Sequence, residues 1–98
     1  MTQPMTVRIE LAHALAELAG GEDLVDVALA VDGATVGAAL RALTAAHPAL
    51  APLVWRGERF NDQLVAFLNQ DDVRRLQGLD TPVRAGDRLM LITAVEGG

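Results

Sequence analysis

A single α+β domain, with one main helix laid across a mixed sheet of four to five strands, follows from three features of this 98-residue sequence. Two segments with period-two apolar spacing lie near the start, an amphipathic stretch with a hydroxyl at its head comes next, and a strongly apolar run closes the chain. The length suits one core and not two. The apolar content is 51%, but alanine supplies much of it and only Trp55, Phe60 and Phe67 are aromatic, so a tightly packed core must be built from aliphatic side chains.

In the first strand Met5, Val7, Ile9 and Leu11 alternate with Thr6, Arg8 and Glu10, which buries one face. Leu11, Leu15 and Leu18 then fall at helical spacing, and Gly20-Gly21 ends that short segment as a glycine cap. Residues 24–31 alternate again, with Val25, Val27, Leu29 and Val31 on one side. So few residues separate the two strands that they pair antiparallel, because a parallel crossover needs about a dozen residues or more.

Asp32-Gly33 is turn chemistry, and Thr35 can cap a helix by accepting from the amides of its first turn. Val36, Leu40 and Leu43 form the apolar stripe of that helix, whose opposite face carries Arg41 and Thr44. It ends near Ala46, since Pro48 disfavours helical geometry at His47, and His47 reads as a helix-end residue. Residues 48–62 are expected to be a long connection holding Trp55 and Phe60. Residues 64–68 form a third strand, residues 69–72 a turn, Val73 and Arg74 a brief strand, and residues 79–83 a compact stretch. After the Ala85-Gly86-Asp87 turn, residues 89–95 make the last strand, so that residues 1–93 form the domain and residues 94–98 a tail.

Composition narrows the function. There is no cysteine, hence no disulfide, thiolate metal site or cysteine nucleophile, and with only His13 and His47 a multi-histidine metal site is not expected. Asp71-Asp72 lacks the spaced ligands of a calcium loop. No nucleophile, base or metal cluster converges, so no catalytic residue is assigned. The net charge of −5 argues against nucleic acid and suits a partner with a basic docking face. The start, MTQPMTVRIE, carries no basic leader followed by an apolar core, and no run is long enough to span a membrane, so a soluble cytoplasmic protein without membrane contact is expected. All eight basic residues are arginine; the chain has no lysine to accept an acyl group from another copy.

Two places remain for chemistry. The first is the tail Ala94-Val95-Glu96-Gly97-Gly98. A Gly-Gly end can lie extended in a channel too narrow for side chains, and five extended residues reach roughly 17 Å, far enough to enter a partner's active site. The reactive group would be the Gly98 carboxylate, with Gly97, Glu96 and Val95 threading the channel; a frayed, idle end is the alternative. The second is the far face of the sheet. If Leu64, Ala66, Leu68, Leu89 and Leu91 face the helix, then Val65, Phe67, Met90 and Ile92 face away, and a strand apolar on both sides must be covered on both. Either the 48–62 connection folds over that face, or it is a docking patch for the partner that receives the tail.

The residues Asp32-Gly33-Ala34-Thr35-Val36-Gly37 leading into Leu40-Arg41-Ala42-Leu43, then Leu68 to Arg74, Leu79-Asp80-Thr81-Pro82-Val83, Ala85 to Leu89 and the Gly97-Gly98 ending resemble the ubiquitin-like sulfur-carrier family. That family includes the molybdopterin-synthase small subunit, the thiamine sulfur carrier and carriers linked to a cysteine synthase. The resemblance implies a β-grasp fold and a carrier that is not itself an enzyme and binds no cofactor. It implies as partners an ATP-using, ubiquitin-activating-like adenylyltransferase that adenylates Gly98, a sulfur donor that converts it to a thiocarboxylate, and an acceptor enzyme. The acceptor would be a molybdopterin synthase large subunit or a cysteine synthase. Leu91-Ile92-Thr93 stands where many molybdopterin small subunits have aromatic and proline residues, and Asp72 to Thr81 looks more like the cysteine-synthase type, so molybdopterin, cysteine and secondary-metabolite biosynthesis all stay open. Two other classes also remain: a ubiquitin-like modifier joined through Gly98 to lysines of target proteins, and a β-grasp binding module with an inert tail.

Overall fold

A computed structural model describes residues 4–94. The first strand, β1 (Pro4–Leu11), buries Met5, Val7, Ile9 and Leu11 and pairs antiparallel with β2 (Leu24–Ala30). Between them α1 (His13–Leu18) is a short helix, and the Gly21 amide returns to the Ala16 carbonyl at 2.9 Å with Gly20 at φ +71 and Gly21 at φ +86. Two expectations fail locally. Leu18 is exposed while Ala16 and Ala19 are buried, because a helix this short turns only one corner against the sheet. Val31 is also exposed, since the strand stops at Ala30 and the chain leaves the pleat that kept odd residues inward.

The main helix, α2 (Val36–Ala46), begins where Thr35 accepts from the Ala38 amide at 3.1 Å, satisfying one of the first-turn donors. Val36, Ala39, Leu40 and Leu43 are fully buried against the sheet. Its start is tied to the 81–83 stretch, with the Val36 amide donating to Thr81 O at 2.9 Å and the Val83 amide to Ala34 O at 3.1 Å. Gly37 permits this approach: a Cβ there would stand 3.2 Å from the Leu79 carbonyl oxygen. Its amide bonded to Leu43 O, His47 closes the helix, as expected.

Residues 48–62 are not an irregular connection. A 3₁₀ turn (Pro48–Leu50) runs into the one-turn helix α3 (Ala51–Val54) and a hairpin of β3 (Trp55–Arg56) and β4 (Arg59–Phe60). Leu50 and Val54 plug the helix side of the core. Trp55 packs edge-on to Phe60 (centroids 6.5 Å apart) and donates its indole N–H to Thr44 Oγ1 at 3.1 Å, while the Arg41 guanidinium sits 4.5 Å over the Trp55 ring. Thr44, expected on the solvent face of the helix, is therefore buried. Asn61 closes the segment: its side-chain N–H donates to Leu53 O at 2.8 Å and its Oδ1 accepts from the Gln63 amide at 3.0 Å.

The chain then forms β5 (Leu64–Leu68) and, across a two-residue turn at Asn69 (φ 52) and Gln70 (φ 85), β6 (Asp71–Asp72). Val73 and Arg74, expected as strand, lie in a 3₁₀ turn (Val73–Arg75) because the Asp72 carboxylate accepts from the Arg74 amide and caps it. A second 3₁₀ turn (Gly78–Asp80) leads to the last strand, β7 (Arg88–Thr93). The sheet order is β2-β1-β7-β5-β6, with β1 and β7 parallel and the other pairs antiparallel. The mixed five-stranded sheet with one long helix across it is the expected architecture, and it puts the C-terminal strand in the middle. No helix among the described residues is long and apolar enough to cross a membrane.

Candidate functional site

The central strand carries the chain toward its C-terminus. At its exit Thr93 pairs with Leu64, and the Ala94 amide donates to Gln63 O at 2.8 Å, so the chain is held to the sheet through Ala94. The tail residues Val95, Glu96, Gly97 and Gly98 lie outside the described residues.

Beside that exit the far face is open. The 48–62 segment packs on the helix side, and so does not cover this face. Met90 pairs with Phe67 across β7 and β5, and Ile92 with Val65 one step nearer the tail. These four side chains, picked from alternation alone, therefore make one two-by-two patch opposite the core. They are not equal in exposure. Met90 is 39% exposed, Phe67 and Ile92 are half-buried, and Val65 is only 7% exposed. Val65 thus supports the patch and offers a partner little surface, because alternation assigns a side of the sheet and not the neighbours on it.

On one side the patch opens into a groove of about 500 Å³ lined by Phe67, Met90, Glu10, Arg88 and the Asn69-Gln70 turn. Glu10 is there because β1 and β7 are parallel in register, which sets it beside Met90. The turn is fixed by three bonds: the Asn69 amide donates to Arg88 O at 2.9 Å, the Arg88 amide to Asn69 Oδ1 at 2.9 Å, and Asn69 Nδ2 to Asp87 Oδ1 at 3.0 Å. The groove therefore has an apolar floor, one end fixed by hydrogen bonds and one charge of each sign. Glu10, Arg88 and Asn69 carry no signal in the sequence, since only the strand register brings them together. Farther out, Arg8 bonds Asp26 at 3.0 Å, which raises the arginine's pKa, and Asp72 is held below the usual carboxylate range by its hydrogen bonds to Arg74. Both pairs fix surface charges and neither is poised for proton transfer.

Among the described residues no group of three or more His, Asp or Glu side chains is arranged to hold a metal ion. What the arrangement can do is bind: it offers a firm apolar surface next to the point where the chain leaves the sheet.

Sheet order, helix placement and a central C-terminal strand define a ubiquitin-like β-grasp protein. Comparison with known proteins gives the family. The ThiS family model matches residues 9–98, and the chain belongs to that family, among the ubiquitin-like sulfur carriers. No match is found among curated proteins. Among solved structures the chain is similar to small archaeal modifier protein 1 (SAMP1) from Haloferax volcanii, with 37% identity, TM-score 0.80 and coverage of 95% of this chain and 99% of that one. It is also similar to a chain of the Amycolatopsis orientalis BexX/CysO complex, with 28% identity, TM-score 0.80 and coverage of 94% and 99%. Urm1 from Trypanosoma brucei, 16% identical over the whole of both chains at TM-score 0.75, shares the fold.

Proposed function

We propose that this protein is a sulfur carrier whose Gly98 carboxylate is activated and loaded by partner enzymes. A carboxylate is a poor acyl donor. In the proposed sequence it attacks the α-phosphorus of ATP, held by an activating enzyme, to give the acyl adenylate and pyrophosphate. A sulfide-level sulfur nucleophile then adds to the Gly98 carbonyl and expels AMP, leaving a thiocarboxylate whose sulfur passes to an acceptor. The chain itself supplies reach and docking. Gly97 lets the end enter a narrow channel, and Phe67, Met90 and Ile92 seat the domain outside it. The observation that carries this reading is the family match, which runs through the Gly97-Gly98 ending.

The similarity to a chain of the BexX/CysO complex supports a carrier that docks on a partner enzyme. A second reading has its own support in the 37% identity to small archaeal modifier protein 1, namely transfer of the Gly98 acyl group to lysines of other proteins. With no lysine in the sequence, such linkage would not build chains on this protein through its own side chains.

The deciding experiment is intact mass after incubation with ATP, a sulfide source and an activating enzyme. Exchange of one carboxylate oxygen for sulfur adds about 16 Da, confined to the C-terminal peptide and lost on deleting Gly98. No gain would refute the carrier reading. A Gly98-dependent ladder of lysine-linked conjugates in its place would establish the modifier.

A further inference from the structure

The charge of this protein is lopsided. Residues 1–40 hold six acidic residues and one arginine, a formal −5, while residues 41–98 balance at seven of each sign. The whole net charge thus lies on the β1-α1-β2 part of the molecule, whose outer limit is the edge strand β2. Glu22 and Asp23 precede that strand, Asp26 lies within it and Asp32 follows it, all exposed. Asp26 is paired with Arg8 and Glu22 is 3.9 Å from His47; among the described residues Asp23 and Asp32 have no ion pair.

The edge itself is open. Leu11 donates to Asp23 O at 2.8 Å, which sets the phase of the β1-β2 ladder: odd residues of β2 bond β1, and Leu24, Asp26, Ala28 and Ala30 turn their N–H and C=O groups outward. Asp26 is its one charged residue, and no proline, lysine or bulge interrupts its seven residues. Pairing with a second copy is opposed by charge. An antiparallel match through these outward groups would set Leu24 opposite Ala30 and Asp26 opposite Ala28, so that Glu22 of each copy faces Asp32 of the other at both ends.

We propose that the outer edge of β2 binds an extended, lysine- or arginine-rich segment of a partner protein as an added strand. The backbone ladder would supply affinity, and the flanking carboxylates would select basic segments and exclude acidic ones and copies of this chain. Because β1 lies between β2 and β7, an added strand would run three strand spacings, about 14 Å, from the strand that leads to the tail. This interface can therefore be occupied while the far-face patch and the tail are engaged elsewhere.

The test uses the full, unactivated chain labelled with ¹⁵N and an end-blocked peptide of sequence Lys-Val-Lys-Val-Lys-Val-Thr, with a Glu-for-Lys peptide as control. The basic peptide should shift the amides of Leu24, Asp26, Ala28 and Ala30 and slow their hydrogen exchange, should bind at least tenfold more tightly than the acidic one, and should weaken in high salt. Ala28→Pro removes an outward N–H without touching the β1 ladder, and should reduce binding at least tenfold. Should that variant fold poorly, Ala28→Lys keeps the backbone and places a repelling charge on the edge, with the same expected loss. Absence of shifts at these amides with millimolar peptide, equal binding of the acidic peptide, shifts confined to Phe67 and Met90, or concentration-dependent pairing of the chain with itself through β2 would each overturn the proposal.

Discussion

Replacing Met90 by arginine separates docking from folding. Met90 is 39% exposed and stands beside Glu10 in the β1-β7 register, so a guanidinium there keeps its charge in water and gains an acidic neighbour. The effect on folding should stay within about 0.5 kcal/mol, a melting shift of roughly 2–4 °C for a domain of this size. Binding should respond differently. Full burial of a methionine side chain is worth about 1.5–3 kcal/mol, of which the exposed fraction leaves about 1 kcal/mol to be gained on docking. Arginine forfeits that gain and carries a charge into a contact that loses its water, so a total loss of about 2 kcal/mol, near thirtyfold in Kd, is expected. Calorimetric titration against the activating enzyme measures Kd, and thermal unfolding of the free variant measures the fold. An unchanged Kd would remove the patch from the docking surface. A melting drop above about 8 °C would show that Met90 is a core residue in spite of its 39% exposure.

Other expectations concern what holds the site in place. Thr44→Val removes the acceptor of the Trp55 indole and should cost about 1 kcal/mol, with a shift in the fluorescence of this sole tryptophan; Thr44→Ser should restore both. Gly37→Ala gains helix propensity but drives a Cβ to 3.2 Å from the Leu79 carbonyl, so chemical denaturation should show a net loss of about 1 kcal/mol. The Asp72 carboxyl is depressed by Arg74, so its contribution is present above the ordinary carboxylate pKa and is lost as pH falls through the lower, folded value. Asp72→Asn should therefore lower the melting temperature at pH 6 and converge on the parent protein once the pH has fallen below the depressed folded value.

The larger elements were legible from residue spacing. Met5, Val7, Ile9 and Leu11 mark β1, and Val25, Val27 and Leu29 mark β2. Thr35 with Val36, Leu40 and Leu43 marks α2, because burial on one face imposes a period of two or of about 3.6 over a long enough stretch. The 48–62 segment escaped for the same reason. A one-turn helix and two-residue strands are shorter than any period, and what fixes them is long-range: Asn61 bonding Leu53, Trp55 bonding Thr44. Asp72 hid the 3₁₀ turn after it in the same way, since a side-chain cap outweighs the β propensity of Val73.

By itself the sequence determined that one helix crosses a mixed sheet and that Val65, Phe67, Met90 and Ile92 share one side of it, which follow from local periodicity and residue type. Only the tertiary structure decided that β7 lies at the centre of the sheet, that Glu10 and Arg88 wall the groove beside Met90, that Val65 is buried, and that β2 is an open, acid-flanked edge. Those facts depend on which strands pair and in what register, and hydrogen bonds between segments far apart in the chain leave no period in the sequence to read.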